Sequence, residues 1–110
     1  NDNEGCLQDI HWALGSFGYF PSYSVGAAVA AQLAESLRRD VAGLDEQIAR
    51  GDFSGLFGWL KDRLYSLGSK LPTPDLVREA TGKPVSANSA LRYLENKYLD
   101  GVEDRSSAAA

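Results

Sequence analysis

Four side chains near the start of the chain could do chemistry together: the amide of Gln8, the imidazole of His11 and the phenols of Tyr19 and Tyr23. All four groups donate hydrogen bonds. Donors that converge on one place suit a developing oxyanion or a bound carboxylate. Gln8 and His11 are three positions apart, which on a helix places both on one face. Asp9 is one position from Gln8 and two from His11, so on that same helix its carboxylate points elsewhere and does not orient the imidazole. Trp12 follows directly, and Phe17 and Phe20 join the tyrosines in the segment beyond. A plainer role fits the same residues: a His beside a Trp on an amphipathic helix packs, and the aromatic residues cover a helix end. Residue types and spacing leave both roles open.

Other chemistries find less support. A catalytic zinc usually takes three protein ligands from His, Cys, Asp and Glu, with a fourth position open. The chain has one His and one Cys, and no H-E-x-x-H. No acidic loop has the spacing of a calcium site. Cys6 and His11 make a nucleophile–base pair on paper, but their offset puts them on different faces of one helix. No glycine-rich loop precedes a lysine in the way a phosphate loop requires. Arg38, Arg39 and the scattered lysines read as solvated helix faces.

The elements that would position these residues are helical. Asn3 is a plausible N-cap for a helix to about Leu14, with Glu4 in its first turn. Gly15 to Ser24 reads as an aromatic-rich connection. Ser24 caps a second helix to about Ala42, with a stripe of Val25, Val29, Leu33, Leu37 and Val41 and small faces at Ala27, Ala28, Ala30, Ala31 and Ala34. Leu44 to Arg50 is short and ends at Gly51. Asp52 opens a helix to about Leu67, carrying Phe53, Leu56, Phe57, Leu60, Leu64 and Leu67 at helical spacing. Thr73-Pro74-Asp75 starts a fifth that stops at Gly82. A sixth begins at Ser86 or Ser89, carries Leu91, Leu94 and Tyr98, and ends near Gly101. Strand patterning is missing. The expected fold is all-α, about six helices in one unit over 1–101. Val102 to Ala110 reads as a frayed tail whose closing Ser-Ser-Ala-Ala-Ala has the look of appended residue.

Composition narrows the partners. The chain has 110 residues, enough for one small domain, and 44% are hydrophobic, ordinary for a globular protein. A net charge of -4 argues against nucleic acid as a partner. No apolar run approaches the roughly 20 residues that span a bilayer, which argues against a membrane partner. Asn1 to Glu4 are polar and acidic, unlike a secretory leader, and a lone cysteine fits a reducing, cytoplasmic setting. Methionine is absent even from position 1. That suggests Asn1 lies within a longer polypeptide, with processing of a shorter one as the alternative.

Gly5-Cys-Leu-Gln8-Asp9-Ile-His11-Trp12 resembles the G-x-x-Q-D-x-H-W signature of the M32 family of metallocarboxypeptidases. The continuation from Gly15 to Gly26, the run Asp45 to Gly51 and the run Leu91 to Tyr98 are also similar to that family. The resemblance covers the chain to about Leu99. It implies the C-terminal helical segment of a large, groove-forming helical zinc peptidase that removes single residues from peptide C-termini, commonly as a homodimer. The H-E-x-x-H helix, the third zinc ligand and a substrate arginine of the family lie upstream of the signature. Zinc, or another divalent metal, would therefore be held outside this chain, and the chain alone would bind none and be inactive. By resemblance His11 and Tyr23 hold the tetrahedral oxyanion, Gln8 and Tyr19 contact substrate, and Asp9 and Trp12 support them. The implied partners are peptide C-termini, the upstream part of the same protein and a second copy of it. The competing reading is a non-catalytic helical interaction module that docks a partner through the aromatic segment and the alanine-rich helix.

Overall fold

The computed structural model describes residues 4–5 and 8–99. It contains five α-helices: α1 (Pro21–Asp40), α2 (Leu44–Ala49), α3 (Ser54–Leu60), α4 (Thr73–Thr81) and α5 (Asn88–Tyr98). A π-helical segment, Lys61–Tyr65, continues α3. No strand occurs among the described residues. The Asn3 cap, Cys6 and the tail after Leu99 lie outside them.

The all-α expectation holds, with one helix fewer. Residues 8–15 form bends and turns where a helix to Leu14 was expected. The Ile10 N–H donates to Asp9 Oδ1 at 2.7 Å. A short acceptor side chain that captures a nearby backbone donor competes with the helical ladder. Gly15 then takes φ 80°, a left-handed conformation that ends any helical run. What remains is a compact knot of turns, with Gln8 N–H bonded to the Gly5 carbonyl at 3.1 Å and Ser16 N–H to the His11 carbonyl at 2.8 Å.

α1 starts at Pro21 rather than Ser24. Proline at the first helical position loses no bond, because its missing N–H would have been unpaired there, and its φ is already set for a helix. Arg38 and Arg39 in the last turn oppose the negative end of the helix. The start of α4 follows the Thr73-Pro74-Asp75 signal, and Gly82 at φ 76° closes it, its N–H donating to the Arg78 carbonyl at 2.8 Å.

The core joins the C-terminal half of α1 to the shorter helices. Leu37, Leu44, Trp59 and Ala80 form its buried centre, with Leu33, Val41, Leu56, Leu60 and Leu64 packed against it. Two polar ties cross it. The Trp59 indole donates to Asp40 Oδ2 at 3.0 Å. Gln32 is buried, and its amide nitrogen lies within 3.1 Å of Thr81 Oγ1 and the carbonyls of Lys83 and Pro84, while its Oε1 accepts from Ser86 N–H at 3.1 Å. One side chain of α1 thus ties the end of α4 to the segment that leads into α5.

The N-terminal half of α1 and the far side of α5 are not buried. Val25, Leu91, Leu94 and Tyr98, which the helical pattern marks as a packing stripe, are all exposed. α5 is tied to α1 by Arg92, which donates to Glu35 Oε2 at 2.6 Å. A groove of about 820 Å³ runs between the two, floored by Ala27, Ala30, Ala31 and Ala34 and walled by Tyr93 and Leu94.

Candidate functional site

The knot of turns and the first turn of α1 bring His11, Tyr19, Phe20 and Tyr23 into one aromatic cluster. The His11 ring stacks on Tyr19, with centroids 4.5 Å apart and planes 27° from parallel. Phe20 closes the other approach at 4.8 Å and 57°. Tyr19 also meets Tyr23 edge-on at 5.7 Å, and Phe20 stacks on Tyr23 at 6.5 Å. The imidazole and the two phenols are therefore linked ring to ring, with Tyr19 touching both of the others. The positions of the rings follow from chain direction. Pro21 starts the helix, so Tyr23 projects from its first turn while Tyr19 and Phe20 sit on the turn that enters it.

Gln8, Asp9 and Trp12 face a cleft of about 360 Å³, lined also by Gly5 and Phe20. His11 is not among its lining residues. It adjoins the cleft through Asp9 and Phe20, both of which touch its ring. The expectation of a face shared by Gln8 and His11 rested on a helix that does not form. The same change reverses the expectation for Asp9: its Oδ1 lies 3.1 Å from His11 Nδ1. In a turn, residues two apart can meet; on a helix they cannot. Nδ1 is sealed from solvent, and Asp9 stands off the hydrogen-bond direction of that nitrogen, so it has a close carboxylate but no completed hydrogen bond. Trp12 packs on Phe17 at 6.2 Å and stays half-exposed.

The Tyr19 hydroxyl beside it raises the Tyr23 phenol above the ordinary tyrosine value, by hydrogen bonding first and by charge repulsion second, and Asp9 adds a smaller push. Tyr23 consequently stays a neutral O–H donor throughout the physiological range. Phe20 is the site residue that residue-type reasoning undervalued. It carries no reactive group, yet like Asp9 it both contacts His11 and lines the cleft. Its place directly before the helix-starting Pro21 was the available signal.

The donor set of the described residues does not fit a metal centre. Among the described residues no three His, Cys, Asp or Glu side chains come together. Asp9 and His11 make a pair only.

Comparison with known proteins places the chain in a family. Residues 1–98 match the family model described as carboxypeptidase Taq (M32) metallopeptidase. The chain is 38% identical over 97 residues to thermostable carboxypeptidase 1 of Pyrococcus furiosus, covering 88% of this chain and 19% of that protein. Carboxypeptidase 1 of Bacillus subtilis is 40% identical over 97 residues, again 19% of its length. Among solved structures, Trypanosoma cruzi metallocarboxypeptidase 1 superposes with a TM-score of 0.83 at 44% identity, covering 89% of this chain and 21% of that one. The chain thus spans about a fifth of the length of the relatives it matches, and it belongs to the carboxypeptidase Taq (M32) family of metallopeptidases.

Proposed function

We propose that this chain is the C-terminal, substrate-side part of a zinc metallocarboxypeptidase that removes single residues from peptide C-termini. The observation that carries the proposal is the continuous His11–Tyr19–Tyr23 ring contact beside a cleft lined by Gln8, Asp9 and Trp12. A family of metallopeptidases implies a divalent metal, which supplies Lewis acidity to the scissile carbonyl. We place its ligands outside this chain, because among the described residues no three His, Cys, Asp or Glu side chains come together. The chain's own residues handle charge. Cleavage of a peptide bond puts negative charge on the carbonyl oxygen, and C-terminal selection requires a terminal carboxylate to be held. Both tasks call for hydrogen-bond donors aimed into a site that excludes water. His11 and Tyr23 donate to the oxyanion. Gln8, in the cleft, and Tyr19, between the two donors, contact the substrate. Asp9 and Trp12 hold these groups in place. The protein works in the cytoplasm as a homodimer on peptide substrates.

Steady-state kinetics of the full-length protein test this reading. Loss of one oxyanion donor typically costs about 100- to 1,000-fold in turnover, or roughly 3–4 kcal/mol. His11→Ala and Tyr23→Phe should each lower kcat by that order with little change in KM, since the interaction develops in the transition state. Near-normal turnover in both, with metal content and folding intact, would make the cluster structural.

A further inference from the structure

We infer that Asp9 is a positioning residue for His11: its carboxylate accepts a hydrogen bond from Nδ1–H, which makes Nε2 the working nitrogen of the ring. The inference rests on the reading of His11 given above.

Three observations support it. His11 Nδ1 is sealed from solvent and has no hydrogen-bond partner, although the His11 side chain as a whole remains 25% exposed. The open edge of the ring is therefore the one away from Nδ1, where Nε2 lies. Asp9 Oδ1 lies 3.1 Å from Nδ1. A carboxylate only accepts, so the contact selects the form of the ring that carries hydrogen on Nδ1. Finally, neither partner is free to drift. Asp9 Oδ1 accepts the Ile10 N–H at 2.7 Å, and the imidazole is held between Tyr19 at 4.5 Å and Phe20 at 4.8 Å.

The bond is close but misaligned. Hydrogen bonds of catalytic groups are often loose in the free protein and tighten when substrate is bound. Leaving a buried nitrogen unpaired is costly, which favours a small rotation of the Asp9 carboxylate onto the ring axis. With Nδ1–H fixed, neutral His11 presents a lone pair at Nε2 and accepts. When Nε2 also carries a proton, the ring becomes a donor to an oxyanion, and Asp9 offsets its positive charge. Asp9 thereby decides which nitrogen acts and in what direction it points, without touching substrate through His11's own edge.

The test uses the full-length protein with Asp9→Asn, Asp9→Glu and His11→Gln. Asn keeps the size of Asp but offers an amide that can donate to Nδ1, selecting the opposite tautomer. Loss of a partner that orients a metal-bound imidazole typically costs about 10- to 100-fold in activity, and the same order is expected for an imidazole oriented for hydrogen bonding. Asp9→Asn should lower kcat by about that factor with KM within about twofold, and Asp9→Glu, which keeps the carboxylate, should recover part of it. The spectroscopic readout is a long-range proton–nitrogen correlation on protein with isotopically labelled histidine, the His11 signals being those lost in His11→Gln. Hydrogen on Nδ1 in the unaltered protein is expected, and hydrogen on Nε2 alone would overturn the inference even if Asp9→Asn failed to fold. A folded Asp9→Asn with unchanged kcat and tautomer would overturn it too. Were His11→Gln to lose turnover in that case, the oxyanion reading would stand while the role of Asp9 fell. A fully active His11→Gln would remove both.

Discussion

Tyr19 stacks on His11 while Tyr23 stands one ring further out, on the first turn of α1. Phe at position 19 keeps the ring that supports His11 and removes only a hydroxyl. Tyr19→Phe should therefore cost less turnover than Tyr23→Phe. It should also bring the Tyr23 phenol back towards the ordinary tyrosine value, since the Tyr19 hydroxyl is the main cause of its rise. Alkaline titration of phenolate absorbance in the two variants checks this, and an unmoved Tyr23 in Tyr19→Phe would contradict it. Gln8 lines the cleft, so Gln8→Ala should raise KM more than it lowers kcat in steady-state assays. Candidate donors can be picked from the sequence by type, because an amide, an imidazole and a phenol each carry a donating hydrogen. Their mutual arrangement cannot be. Spacing arguments carry the geometry of the element they assume, and with turns in place of a helix, Asp9 moves from bystander to neighbour of His11.

The helices depend on polar ties that hydrophobic spacing does not disclose. Gln32 reads in the sequence as an interruption of a small apolar stretch; in the fold it secures the α4–α5 link from the middle of α1. Gln32→Leu keeps the volume but takes away the partner of the Pro84 carbonyl and the Ser86 N–H, while Thr81 Oγ1 and the Lys83 carbonyl stay bonded to each other. At about 1 kcal/mol for each partly buried group, the variant should lose roughly 2 kcal/mol, measured by denaturant unfolding. α5 hangs on a second tie. Hydrogen bonds from Ser89 and then from Arg92 hold the Glu35 carboxyl below its ordinary range. A carboxylate depressed in the folded state contributes stability above its unfolded value, and that contribution disappears as pH falls through the folded value. Acidification below about pH 4 should loosen α5 from α1, seen as faster amide exchange in α5, and Glu35→Gln should remove this pH dependence. The bounds of α4 were readable to within a residue because Thr73-Pro74 and Gly82 are local signals, although the N-cap is Pro72 rather than Thr73 and no side chain caps it. The π-helical stretch was not, because Leu60, Leu64 and Leu67 keep an α-like spacing while the backbone bond from Ser66 N–H runs five residues back to Lys61, at 2.9 Å.

Taken as a whole, the chain buries little for its length. Leu37, Leu44, Trp59, Val77 and Ala80 are the buried hydrophobic side chains among the described residues, while Ile10, Leu14, Phe17, Phe57 and Leu99 stand largely exposed. The chain matches one-fifth of the length of its relatives, and we propose that the rest of such a protein covers these surfaces. Expressed alone, the 110 residues should self-associate through the α1–α5 groove and the exposed aromatic residues. Light scattering across concentration measures this, and a persistent monomer with a cooperative, high-temperature transition would contradict it. The isolated chain should also hold no stoichiometric zinc and release no C-terminal residues from blocked dipeptides. Metal analysis showing one tightly bound zinc per chain would contradict the donor-set argument.

The chain's two tryptophans sit in opposite surroundings: Trp12 is 47% exposed on the cleft and Trp59 is 7% exposed in the core, its indole bonded to Asp40. They are two intrinsic lamps with separate addresses. Trp12 should emit at long wavelength and be dimmed by iodide or acrylamide, and by any peptide that occupies the cleft. Trp59 should emit at short wavelength, resist those quenchers, and shift only when the helices come apart. Replacing either by Phe leaves a chain whose fluorescence reports one event alone, occupancy or unfolding, with no dye attached.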